Sequence, residues 1–177
     1  IYPKPSLNGK HQEENASISI YFAKIMKNMG YELSTKKINT AIKKTIWPGR
    51  LEVINYKNKK IILDGSHNID GAEKLNEFLK TKRIKPIVLF GMLNNKKASL
   101  FLNKIKKRIS KVLAIKIPDE KNSFKTKQIN EICDLHYIKC EQVDNINDAL
   151  KYFRSHQEKI YLITGSLYLI GKIRRRL

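Results

Sequence analysis

Ile61–Asn68, with the sequence IILDGSHN, carries the clearest signal of the fold. It begins as an apolar run of the kind that forms a buried strand, and Gly65 after Asp64 permits a tight turn. The residues that follow, from Gly71 to Lys80, predict a helix. A buried strand that turns directly into a helix indicates an α/β protein.

The same order of strand and helix repeats toward the end of the chain. Four strands are predicted, and each is followed by a predicted helix. The pairs are strand 87–90 with helix 98–109, strand 112–117 with helix 126–133, strand 137–143 with helix 146–156, and strand 160–164 with helix 167–176. Before the first stretch, 51–56 and 60–63 are rich in β-forming residues and predict a hairpin. This alternation predicts a Rossmann-like, mostly parallel sheet with helices on both faces.

Residues 1–48 differ from the rest of the chain. Helices are predicted at 13–29 and 35–45, after an opening loop that contains proline and glycine. Two helices without a sheet do not form a domain, so they predict the end of a preceding one. We therefore expect a boundary near residue 48, with a second domain at 49–177.

The composition indicates a globular protein with a strongly basic surface. The 177 residues include 36 Lys and Arg against 16 Asp and Glu, which gives a net charge of +20. Such a charge is typical of a protein that binds nucleic acid. Most of the basic residues, however, are scattered lysines, whereas arginine is the residue favoured for contacts with bases and phosphates. Nucleic-acid binding is therefore disfavoured, and a basic Rossmann-like RNA-binding module is kept as an alternative.

Membrane and metal-binding classes are disfavoured by the sequence. No apolar stretch approaches the roughly 18 residues of a membrane span, and no signal-peptide pattern begins the chain. Cys133, Cys140 and the four histidines do not have the spacing of zinc ligands. We expect a cytoplasmic protein with no membrane partner and no metal ligands of its own.

Polar loop residues follow three of the predicted strands, at 64–68, 91–96 and 165–166. The carboxyl ends of parallel strands meet at one edge of a sheet, where helix N-termini present free N–H groups to ligands. The three loops are therefore expected to line one rim and to form a binding site. The competing interpretation is that the polar residues of the first loop only cap the next helix.

Four separated segments carry a resemblance to a known family, and they are Lys10–Ala16 (KHQEENA), Trp47–Glu52 (WPGRLE), Leu63–Asn68 (LDGSHN) and Thr164–Gly171 (TGSLYLIG). In this order they resemble the C-terminal part of folylpolyglutamate synthase and dihydrofolate synthase, within the Mur-type ATP-dependent amide ligases. The resemblance implies that L-glutamate is added to dihydropteroate, to reduced folates or to both, after ATP converts a carboxylate to an acyl phosphate. A Mur-type ligase that acts on a cell-wall precursor is the alternative within the same class.

The resemblance also implies how the chain is organised. Residues 1–48 would be the end of the central ATPase domain, and 49–177 would be a complete Mur ligase C-terminal domain. No G-x-x-x-x-G-K-[ST] loop occurs in the chain. That loop and the ligands of Mg²⁺ are expected in a preceding part, so the chain is expected to be an inactive fragment on its own. The expected oligomeric state is a monomer.

The resemblance assigns nucleotide contacts to four residues. Asn15 would contact the adenine with its amide, and Arg50 would contact the triphosphate with its guanidinium group. Asp64 would order the ribose, and His67 would lie near the phosphates. Arg50 and His67 are therefore the expected catalytic residues. Simpler interpretations are that Asn15 is an ordinary polar residue of an early helical turn and that Arg50 pairs with Glu52.

Two further residues are assigned to the incoming glutamate. Lys96 would pair with one carboxylate, and Ser166 would hold another at the N-terminus of the last helix, where the helix dipole favours an anion. The simpler interpretation is that Ser166 is only the N-cap of that helix. The loop that usually reads Asp-Lys-Asp in the family is Asn95-Lys96-Lys97 here, so two acidic side chains are replaced.

Overall fold

The computed structural model describes residues 2–177. The α-helices of this part of the chain are α1 (His11–Asn28), α2 (Thr35–Lys44), α3 (Ile69–Lys82), α4 (Ala98–Ile105), α5 (Thr126–Leu135), α6 (Ile146–Ser155) and α7 (Leu167–Arg174). A single 3₁₀ turn, Lys106–Arg108, continues α4. None of these helices is both long enough and apolar enough to cross a membrane.

Six strands form one sheet, and they are β1 (Glu52–Tyr56), β2 (Lys59–Asp64), β3 (Ile87–Phe90), β4 (Lys111–Ala114), β5 (Cys140–Gln142) and β6 (Ile160–Thr164). Their order across the sheet is β1-β2-β6-β3-β4-β5. Strand β1 pairs with β2 in the antiparallel sense, and every other pairing is parallel. The predicted mostly parallel α/β sheet is therefore confirmed.

Most predicted elements are present, but several are shorter than predicted, among them the strand predicted at 112–117, which ends at Ala114. The strand predicted at 137–143 is reduced to Cys140–Gln142. Tyr137 and Ile138 cannot join it because their N–H groups donate to the carbonyls of Asp134 and Cys133, which closes the end of α5. The helix predicted at 98–109 ends at Ile105 and continues as the 3₁₀ turn.

The sheet is buried on both faces, which explains why its strands are almost continuously apolar. One apolar cluster includes Leu162 and Phe101 and lies on the face covered by α3, α4 and α5. The other includes Tyr161 and Phe153 and lies on the face covered by α6 and α7. Neighbouring residues of β6 thus point into different cores, as the two-residue period of a strand requires.

Helices α1 and α2 pack on each other through a separate small cluster of Ile20, Ile38 and Ile42. Several large apolar side chains of α1 are exposed, among them Ile18 and Phe22. The assignment of residues 1–48 to a preceding domain remains a prediction.

The carboxyl ends of β2, β6 and β3 lie side by side. Asp64 is in register with Thr164, and Thr164 is in register with Phe90. Gly165 has a φ of +104°, and a Cβ at this position would lie 2.6 Å from the carbonyl oxygen of Gly91. Glycine is required there because it allows both the left-handed backbone and the close approach of two loops. The structure therefore brings the three polar loops to one edge.

Candidate functional site

A cavity of about 340 Å³ lies between α1, the turn that precedes β1 and the first turns of α3. We call it the α1–α3 cavity, and residues that line it include Asn15, Arg50, Asp64, His11, Gln12 and Lys74. Three of the six residues predicted for the site therefore share one cavity, although they lie on different elements of the chain.

Arg50 projects from the turn that connects α2 with β1. Its guanidinium carbon lies 5.9 Å from the centroid of the Trp47 ring, a distance typical of a cation–π contact. Within residues 2–177 no carboxylate forms an ion pair with Arg50, because Glu52 pairs with Arg174 instead. The interpretation of Arg50 as the partner of Glu52 is therefore wrong, and the Arg50 side chain keeps its charge available for a ligand.

Asp64 is 4% exposed, and backbone groups hold both of its carboxylate oxygens. Oδ2 accepts a hydrogen bond from the N–H of Leu51 at 3.2 Å, and Oδ1 accepts one from the N–H of Ser66 at 3.1 Å. Leu51 has a φ of +46°, in the left-handed region that a leucine rarely adopts. The buried carboxylate thus stabilises an unfavourable backbone conformation directly beside Arg50.

Gln12 links the polar residues of α1 at the other side of the α1–α3 cavity. It is buried, its Nε2 lies 3.0 Å from Nε2 of His11, and its Oε1 accepts from Nδ2 of Asn15 at 3.1 Å. Burial, with a further contribution from the positive charge of Lys74, lowers the pKa of His11. The neutral imidazole is thereby favoured, and its Nε2 accepts the hydrogen bond from Gln12.

A second cavity of about 260 Å³ lies at the N-terminus of α7. We call it the α7 cavity, and the residues that line it include His67, Lys96, Ser166 and Tyr168. His67 lines this cavity and does not line the one that contains Arg50. Nδ1 of His67 lies 3.0 Å from the carbonyl oxygen of Gly65, so Nδ1 is the donor and Nε2 is left as the basic nitrogen.

Ser166 and Lys96 differ in how firmly the fold holds them. Ser166 is 4% exposed, and its Oγ accepts a hydrogen bond from the N–H of Tyr168, which makes Ser166 the N-cap of α7. Lys96 is half-buried and forms no ion pair with any residue that the structure describes. An adjoining cavity shares His67 and Lys96 and adds Lys97 together with the carboxylate of Asp70, and neither lysine forms an ion pair within residues 2–177.

Metal ligands are not gathered in this part of the protein. Across residues 2–177 no three side chains of His, Cys, Asp or Glu lie close enough together to hold a metal ion. No described residue is assigned to Mg²⁺, which remains a prediction from the resemblance.

Comparison with known proteins shows the family of the chain. A family model for the C-terminal domain of dihydrofolate synthetase matches residues 49–176. The chain belongs to this family. The dihydrofolate synthase/folylpolyglutamate synthase of Bacillus subtilis is 32% identical over 179 residues, which cover 98% of this chain and 41% of that protein.

Solved structures of the dihydrofolate synthetase family have the same fold. The folylpolyglutamate synthase of Thermotoga maritima superposes with a TM-score of 0.79 at 28% identity, over 98% of this chain and 40% of that protein. The Mycobacterium tuberculosis folylpolyglutamate synthase complexed with ADP and AMPPCP gives a TM-score of 0.81 at 20% identity, over 97% and 41%. The chain thus spans about two fifths of the length of these proteins.

Several polar residues that line the α1–α3 cavity were not assigned from the sequence, among them Gln12 and Lys74. Gln12 lies inside one of the segments that resemble the synthetase family, and a glutamine in the first turn of a helix gives no sign that it is buried. Lys74 lies on the exposed face of α3, where nothing in the pattern separates it from the many other lysines of the chain. Only the folded structure shows that both residues line the same cavity as Arg50.

Proposed function

We propose that this chain is the C-terminal part of an ATP-dependent ligase that joins L-glutamate to dihydropteroate, to reduced folates or to both. The observation that carries the proposal is the pair of cavities at one sheet edge. One of them contains Arg50 and Asp64, and the other contains Lys96 and Ser166. Two anionic ligands can be held side by side in this arrangement. A cytoplasmic location and a monomeric state belong to the same proposal.

We assign the nucleotide to the α1–α3 cavity. The guanidinium of Arg50 can form paired hydrogen bonds to phosphate oxygens, and Lys74 adds a second positive charge. ATP would convert the acceptor carboxylate to an acyl phosphate, and Arg50 would stabilise the charge that spreads over the phosphoryl oxygens during the transfer. Nucleotide binding itself is supported by the M. tuberculosis folylpolyglutamate synthase, a protein of the same fold that was solved in complex with ADP and AMPPCP. No step is assigned to Mg²⁺.

We assign L-glutamate to the α7 cavity. Lys96 would pair with one carboxylate, and the capped N-terminus of α7 at Ser166 would hold the other. The amine is then free to attack the carbonyl carbon of the acyl phosphate, so that the C–N bond forms, the bond from that carbon to the phosphate oxygen breaks and inorganic phosphate leaves. Because Nδ1 of His67 is bound to the Gly65 carbonyl, Nε2 can receive the proton that the amine loses when the amide forms.

A chimeric enzyme tests this function. The part of the B. subtilis relative that matches this chain would be replaced by the chain, and incorporation of labelled L-glutamate into dihydropteroate and into tetrahydrofolate would be measured with and without ATP. We expect ATP-dependent incorporation by the chimera and none by the 177-residue chain alone. A folded chimera that incorporates no glutamate into either acceptor would contradict the proposal.

Replacement of Ser166 by alanine separates a ligand contact from a helix cap. Loss of the cap is expected to cost about 1 kcal/mol of stability, and loss of the hydroxyl is expected to raise the KM for glutamate about tenfold or more. Asn145, which caps α6 by accepting from the N–H groups of Asn147 and Asp148, provides the matched control. In the chimera, Asn145→Ala should lower the melting temperature similarly and leave the KM unchanged. Equal KM values for the two variants would remove Ser166 from the glutamate site.

A further inference from the structure

We propose that the ion pair between Glu52 and Arg174 positions Arg50 toward the nucleotide, so that both members are positioning residues for the reaction. The inference rests on the proposed function, because it concerns how the fold orients the residue assigned to the triphosphate. Neither residue lines the α1–α3 cavity, and each would act only through Arg50.

The contact between the two side chains is bidentate. Nε of Arg174 lies 3.1 Å from each carboxylate oxygen of Glu52, and Nη2 lies 2.9 Å from Oε1. Hydrogen bonds from Arg174 lower the pKa of Glu52, which keeps its carboxylate charged. Paired hydrogen bonds of this kind fix orientation as well as distance. The carboxylate of Glu52 is therefore held in one place by the last turn of α7.

The same carboxylate holds the residue before Arg50. Oε2 of Glu52 accepts a hydrogen bond from the N–H of Gly49 at 2.8 Å, and the carbonyl of Gly49 accepts one from the N–H of Gly65 at 2.7 Å. On the other side of Arg50, Asp64 accepts from the N–H of Leu51. The backbone is thus anchored immediately before and immediately after Arg50, and the first of these anchors depends on α7.

Helix α7 extends from the α7 cavity to the turn that carries Arg50. Leu167, in its first turn, lines that cavity and also lies against Gly65, where a Cβ would come within 2.6 Å of its Cγ. Arg174 is the last residue of the same helix and holds Glu52. One rigid element therefore extends from the proposed glutamate site to the turn that carries Arg50.

The pair can be removed without loss of the fold. The side chains of Glu52 and Arg174 are 18% and 44% exposed. A partly exposed ion pair contributes little to stability, so Arg174→Gln leaves a folded protein with a looser Gly49–Leu51 turn. Lys172→Gln is the matched control, because Lys172 lies on the same helix and pairs with Asp119, which does not contact the turn.

The test uses the chimeric ligase and two readouts. In the ligand-free chimera, Arg174→Gln should accelerate hydrogen exchange at the N–H of Gly49, and Lys172→Gln should not. In NMR titrations, Arg174→Gln should raise the Kd for ATP about tenfold and leave the Kd for adenosine unchanged, because only the phosphates reach Arg50. Arg174→Lys, which keeps the charge and loses the bidentate contact, should give an intermediate Kd for ATP.

The double variant Arg50→Ala with Arg174→Gln decides whether Arg174 acts through Arg50. If it does, adding Arg174→Gln to Arg50→Ala should weaken ATP binding no further. Additive losses, or equal losses for ATP and adenosine, would overturn the positioning role. Failure of the chimera with the unmodified chain to bind ATP would contradict the proposed function, whereas unchanged exchange at Gly49 in Arg174→Gln would overturn the positioning role alone.

Discussion

Arg50→Ala in the chimeric ligase is expected to lower kcat for ATP-dependent glutamate addition by about 100-fold or more. Arg50 has no ion-pair partner among the described residues and lines the α1–α3 cavity, so its charge is available to the phosphates. A contact that strengthens as charge develops in the transition state contributes to kcat, whereas a contact made equally with bound ATP contributes to KM. The measurement is the steady-state rate of amide formation at saturating ATP.

Arg108→Ala provides the control for this prediction. Arg108 is half-buried, as Arg50 is, and lies in the 3₁₀ turn after α4, outside the linings of both proposed ligand cavities. Its replacement should change kcat by less than about twofold, because surface substitutions away from a site have small effects. A kcat that is unaffected by Arg50→Ala would remove Arg50 from the mechanism.

Asp64→Ala is expected to destabilise the folded chain by about 3 kcal/mol, because it leaves the N–H groups of Leu51 and Ser66 buried without an acceptor. For a protein of this size the melting temperature should fall by roughly 6–12 °C. Asp64→Asn keeps one acceptor oxygen and should lower the free energy of unfolding by less than Asp64→Ala does. Thermal unfolding followed by circular dichroism measures both variants.

Asp144→Ala is the matched control for the buried carboxylate. Asp144 is exposed and precedes α6, so its replacement should change stability by no more than about 0.5 kcal/mol. If Asp64→Ala unfolds at the same temperature as Asp144→Ala, the carboxylate of Asp64 does not stabilise the turn. Its role would then be limited to the ligand.

The strand–helix alternation could be predicted from the sequence because it depends on local patterns. Strands such as Ile87–Phe90 and Ile160–Thr164 are buried on both faces, so each stands out as a short apolar run between polar helices. The first and last residues of strand Cys140–Gln142 could not be predicted in this way. The strand begins only after the residues whose N–H groups donate to the last carbonyls of α5. The apolar pattern of the sequence does not show which residues these are.

The site could be predicted only in part, for a similar reason. The rule that parallel strands end at one edge was sufficient to bring the loops of Asp64, Lys96 and Ser166 together. Sequence spacing does not determine which cavity His67 lines, nor that the partner of Glu52 lies 122 residues away on α7. Both depend on side-chain directions that the tertiary packing sets.

The decisive measurement is NMR mapping of ligand contacts in the chimeric ligase, with only the 177 residues of this chain isotopically labelled. Titration with ADP should shift the signals of Asn15, Arg50 and Asp64, and titration with L-glutamate should shift those of Lys96 and Ser166. The shifts at the first three residues should persist at moderately raised salt. Shifts that are spread over surface lysines and disappear as salt rises, in the manner of non-specific phosphate binding, would contradict the account.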